Sequence, residues 1–177
     1  MRGGRAVLDR VRRRLRRQAR AYGAGQEQRL KESALSLAAF SAYGAAWAVL
    51  LRRTGGSPAA RLRPGDAVLA SLATFRLSRL LSKGSVTSLL RAPFTEFEGA
   101  TGPSEISERA RGEGARATVG ALVTCPFCTG VWVVTTLTGA QILWPQTTRT
   151  ITWALATLAG ADAAQLAYDR LVSWCQQ

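Results

Sequence analysis

Thirty-two consecutive residues, Ala117 to Thr148, carry no charge. A globular surface alternates polar and apolar positions, so a run of this length belongs inside a protein core or inside a bilayer. It is too long for one straight span. Pro126 and Gly130 break it early, which places a spanning helix at Cys128–Trp144 behind a re-entrant or interfacial turn around Ala117–Thr124.

Two or three further runs have the same character. Ser33–Leu51 is 19 residues without a charge, closed by Arg52 and Arg53; at about 1.5 Å per residue it matches a hydrocarbon core of about 30 Å. Ala46-Trp47-Ala48 imitates a signal-peptidase site. The basic lead before it is too long for a signal n-region, and the apolar run continues beyond it, so the segment reads as an uncleaved anchor. Ala67–Ser82 is apolar except for Arg76 and Arg79, and Asp66 precedes it as a candidate N-cap. Thr150–Tyr168 holds one internal acid, Asp162, and Trp144 and Trp153 flank the intervening turn Pro145–Arg149 as an aromatic belt would. The expected fold is an all-α helical membrane bundle of three to four transmembrane segments.

Against these runs the averages mislead. Mean hydropathy is +0.01 and net charge +13, from 24 Lys plus Arg and 11 Asp plus Glu. Residues 1–31 hold 11 of those bases and only two acids, Asp9 and Glu27. In this arm Val7, Val11, Leu15 and Tyr22 form a narrow apolar stripe if helical. Arg10, Arg12, Arg13, Arg14, Arg16, Arg17 and Arg20 surround it as candidate groups for binding anionic lipid or a protein partner. Tyr22 is the only aromatic in the arm, so it offers no stacking platform and nucleic acid is not the expected partner.

The bias of Lys and Arg puts the N-terminus in the cytoplasm, with 11 bases before the first span against Arg52, Arg53, Arg61 and Arg63 after it. Four spans would return the 83–116 loop and the C-terminus to that side. In this loop five bases and five acids nearly cancel; Pro93, Gly99, Gly102 and Pro103 indicate irregular chain, and Ser104 is placed to cap a short surface helix. The domains expected are a basic arm at 1–31, an anchor at 32–53, a membrane domain at 66–168 and a tail at 169–177.

The same topology puts Arg76, Arg79 and Asp162 in the inner half of the bilayer. A lone charge there costs at least about 2.5–3.5 kcal/mol, which favours a partner. Arg76 or Arg79 is the expected partner of Asp162, with snorkelling to lipid phosphates as the alternative.

The absence of His removes imidazole chemistry and His–Cys zinc sites. Cys125-Pro126-Phe127-Cys128 is then the one motif with possible chemistry. Its position at a helix start would favour a thiolate and redox exchange. A structural metal site or simple packing are the other readings; a cytoplasmic face keeps thiols reduced, and three Cys do not complete a zinc site. No cofactor is expected, and the chain reads as non-enzymatic.

Asp66, Ala73-Thr74-Phe75-Arg76-Leu77-Ser78-Arg79, Arg91-Ala92-Pro93-Phe94 and Thr124-Cys125-Pro126-Phe127-Cys128-Thr129-Gly130-Val131-Trp132 resemble, in order and spacing, the bacterial family called domain of unknown function 1360. Gly112, Gly114 and Gly120 fit its approach to the cysteines. The resemblance covers about 66–168. It implies a small helical membrane protein of the kind found among sporulating Bacillus and Streptomyces types, and no established activity. The arm and first span lie outside it.

Overall fold

The computed structural model describes residues 27–55 and 64–176, with side chains from residue 33 onward. The arginines of the basic arm, Arg10 to Arg20, lie outside the described residues. The chain separates into two units, Met1–Ser41 and Ala42–Gln177, with the boundary inside the first helix.

That helix, α1, runs Glu27–Arg53 and ends with Arg52 and Arg53 in its last turn, where cations meet the negative end of the helix dipole. Its stop is local: Thr54 N–H donates to the Leu50 carbonyl at 3.0 Å, and Gly55 follows at φ +66°, a left-handed conformation that glycine adopts without steric penalty. Helix α2 covers Pro64–Lys83. Proline opens it because the first helical N–H has no intrahelical acceptor to lose. Asp66 is therefore inside the first turn rather than at the N-cap, where its charge still suits the dipole.

A 3₁₀ turn at Ser85–Thr87 and a single helical turn, α3 (Ser88–Arg91), lead into an antiparallel hairpin, β1 (Thr95–Gly102) and β2 (Glu105–Ala110). This hairpin corrects the all-α expectation. The loop and short surface helix expected at 93–108 are strands, and Ser104 caps nothing. It sits after Pro103 at φ +61°, the left-handed third position of a turn that Pro103 initiates. Bulges between Phe97 and Gly99 and between Ala100 and Gly102 interrupt the two-residue alternation by which strands are recognised.

Helix α4 (Gly114–Thr124) replaces the re-entrant turn expected at Ala117–Thr124. Pro126 then opens α5 (Pro126–Leu143), and Trp144 alone separates α5 from α6 (Pro145–Cys175). The expected turn at Pro145–Arg149 is thus the first turn of α6, again because proline is compatible with the first helical position.

The centre of the larger unit is α2, packed against both α5 and α6. Ala73, Val133 and Leu137 are buried together, with Leu77, Leu81 and Leu155 against them. Small residues set the spacing: a side chain on Gly130 would touch Ser78 and Thr74, and one on Gly139 would enter the ring of Trp47. From α1, Tyr43 also bonds Thr136 at 2.6 Å, and its ring lies 5.1 Å from that of Trp132.

Two helices are long and apolar enough to cross a membrane, α1 over Ser33–Arg53 and α5 over Pro126–Leu143. The first has no buried residue in that window, and the second is only partly buried. The protein is mostly helical, with six α-helices and one two-stranded sheet among the described residues.

Candidate functional site

The polar groups of α2 follow its length and connect it to two different elements. Arg76 Nε lies 2.7 Å from Asp162 Oδ2 on α6. Its buried N–H has no aligned hydrogen-bond partner, so the contact is one of charge rather than a directed bond. Arg79 goes elsewhere. Its Nε donates to Glu105 Oε1 at 2.9 Å and its Nη2 to Glu105 Oε2 at 2.5 Å, the bidentate geometry that makes Arg–carboxylate pairs strong. The three groups expected as one polar set therefore divide. Three residues along a helix leave the two directions about 60° apart and about 4.5 Å along the axis, so neighbouring arginines reach α6 and the hairpin respectively.

At the end of α2 the hairpin is fastened by its backbone as well. Ser85 N–H donates to the Ser104 carbonyl at 3.0 Å, and Gly84 bridges to Glu105. The main fastening is Arg91, whose side chain is only 3% exposed. It donates to the Leu81 carbonyl (2.7 Å), Thr87 Oγ1 (2.6 Å) and the Gly84 carbonyl (2.9 Å), while its Nε meets the buried Glu108 carboxylate. One guanidinium thereby joins α2, the 3₁₀ turn, α3 and β2. Burial of this charge is tolerable because its donors are distributed over four acceptors. On the other side α4 presses on the hairpin, where Gly120 leaves no room for a side chain beside the Phe94 carbonyl and Ala110.

With Arg91 turned inward, its neighbours face out. Val86, Leu89 and Leu90 are 77%, 83% and 71% exposed, and Phe127 at the start of α5 is 90% exposed. Solvated turns rarely have the charge inside and the leucines outside. The hydrophobic pattern alone did not mark Arg91 and Glu108 as special; the nearest signal was Arg91 in Arg-Ala-Pro-Phe, beside two leucines that a surface loop does not need.

Cys125 is the N-cap of α5, and its sulfur accepts the Cys128 N–H at 3.3 Å. Burial raises the Cys125 pKa, but the Cys128 thiol, the Cys128 and Phe127 N–H groups and the charge of Lys83 together lower it more, so the net direction is down. All three cysteines are free thiols. Among the described residues no three Cys, Asp or Glu side chains converge as a metal cluster.

The cysteine cap, the Arg76–Arg79 segment and the buried Arg91 all fall within residues 69–168, which match the family model described as a protein of unknown function (DUF1360). The chain belongs to that family. It is also 36% identical over 113 residues to the Sporulation protein YjcA of Bacillus subtilis (strain 168), an alignment covering 62% of this chain and 93% of the relative. No solved structure matches.

Proposed function

We propose that the protein is a multi-pass membrane anchor or adaptor without catalytic activity, whose exposed turn at residues 86–90, beside the hairpin, recruits a cytoplasmic protein partner. The observation that carries this is an inverted polarity in the helices. Ser78, Ser82, Thr148 and Thr152 are buried, and Arg76 meets Asp162, while Val68, Leu72, Phe75, Ile151, Trp153 and Leu158 are exposed. Water would favour the opposite arrangement; hydrocarbon favours this one. On this reading α2 and α6 cross alongside α1 and α5, and the arm, hairpin and C-terminus share the cytoplasmic side. The arm arginines, Arg10 to Arg20, hold that side against anionic lipid. Val86, Leu89 and Leu90 supply the apolar contact that an adaptor presents. The relative's name refers to spore formation, and we infer the same process for this chain.

Cross-linking and pull-down from membranes tests the adaptor role. The intact protein should capture a discrete cytoplasmic protein, and Leu89→Asp with Leu90→Asp should lose it while the chain stays membrane-bound. Equal capture by both would remove the turn at residues 86–90 from the account. The second reading, thiol exchange at Cys125 and Cys128, is favoured by the lowered Cys125 pKa. Alkylation trapping in cells decides it: a pair that stays reduced, with Cys→Ser tolerated, excludes exchange.

A further inference from the structure

At the end of α2 away from the hairpin, a cavity of about 300 Å³ opens between α2, α5 and α6. That is the lower limit for a small-molecule site, enough for part of an amphiphile. One wall is apolar, from Leu69, Val134 and Leu137. Thr152, 7% exposed, adds a hydroxyl to the lining. Gln141, also in the lining, adds an amide. A hydroxyl and an amide on the wall of a cavity offer an entering molecule both donors and acceptors. The polar end is an ion pair, Arg149 Nη2 to Asp66 Oδ1 at 3.2 Å, with Arg149 half-exposed and Asp66 16% exposed.

We propose that this cavity binds one zwitterionic phospholipid. The phosphate replaces Asp66 beside Arg149, and the ammonium group takes Asp66. Ester and glycerol oxygens meet Thr152 and Gln141, and the first part of one acyl chain lies along Leu69, Val134 and Leu137. An anionic headgroup would satisfy Arg149 and confront Asp66; a purely apolar molecule would meet neither the Thr152 hydroxyl nor the Gln141 amide. This assignment rests on the membrane-embedded reading above.

Native mass spectrometry of the detergent-purified, delipidated chain tests it. Titration with phosphatidylethanolamine should give one retained lipid, bound about tenfold or more tighter than phosphatidylglycerol, and soluble phosphoethanolamine should not compete. Arg149→Gln and Asp66→Asn should each erase the preference. Thr152→Val, which keeps the shape, should weaken retention even if the cavity-filling Ala70→Phe fails to fold. Equal retention of the two lipids, or retention indifferent to all four substitutions, overturns the proposal. Competition by phosphoethanolamine would assign the site to a free headgroup and overturn the lipid. Extraction without detergent would instead overturn the membrane reading, so the two failures are distinguishable.

Discussion

Glu108→Ala is the substitution that most sharply weighs the hairpin's attachment. Glu108 and Arg91 have side chains 5% and 3% exposed, so neither is solvated. Removing one partner of a buried pair costs about 3–5 kcal/mol, because the remaining charge is left uncompensated. Arg91 keeps its bonds to Leu81, Thr87 and Gly84, which places the expected loss near the low end, about 3 kcal/mol. At about 1.4 kcal/mol per factor of ten, that is a hundredfold or greater rise in local opening. Glu96→Gln is the control: it removes the contacts to Arg109 and Arg111, which are 66% and 51% exposed, and exposed pairs contribute about 0–1 kcal/mol. Hydrogen exchange at the bonded Ser85, Ala92 and Arg111 amides reads both. Protection should fall roughly a hundredfold in Glu108→Ala and by less than about tenfold in Glu96→Gln. Equal protection in the two variants would refute the claim that Arg91 holds the hairpin.

Other expectations follow the same geometry. Asp162→Ala should lower thermal stability in detergent, while Arg76→Leu with Asp162→Leu should recover most of it, since an apolar pair replaces a charged one at little net loss; a double variant no better than the single would reject the pairing. Gly139→Ala should lower the midpoint by the equivalent of about 1–3 kcal/mol because its methyl meets the Trp47 ring, and Trp47→Leu in the same chain should remove that effect. Alkylation of Cys125 should remain fast below the usual thiol range, and Cys128→Ala should move its pH midpoint upward by removing a donor. With the folded pKa the lower one, this thiol's contribution to stability is present above the unfolded value and fades as pH falls through the folded one.

The uncharged runs locate the helices well and their ends poorly. Ser33–Leu51 lies inside α1 and Ala67–Ser82 inside α2, while α6 begins five residues before Thr150, at Pro145. The ends have two causes: at α6, Pro145 is a favourable first helical residue rather than a break, and α1 extends past its uncharged run through residues 27–32, mostly polar residues that are good helix formers. The hairpin was illegible for a different reason. Its bulges and glycines erase the alternation, and its acids and bases, which look like a solvated loop in sequence, are paired across the strands and to α2. Arg91 could not be recognised as buried because three of its four acceptors come from other segments of the turn and helix, and two of those are main-chain carbonyls with no side-chain signature. Whether Arg76 or Arg79 faces α6 depends on the rotation of α2. That is set by Ala73, Leu77 and Leu81 packing, and by Glu105 drawing Arg79 away.

The central claim is that the exposed apolar faces of these helices meet lipid while the hairpin meets water. Single cysteines placed at Leu72, Val134, Leu158, Glu98 and Glu113 in a cysteine-free background, in sealed and opened vesicles, measure this directly. A membrane-impermeant maleimide should leave 72, 134 and 158 unlabelled in both preparations until detergent is added. It should label 98 and 113 together, from the cytoplasmic side only. Labelling of 72, 134 and 158 at the rate of 98 in intact membranes would contradict the account.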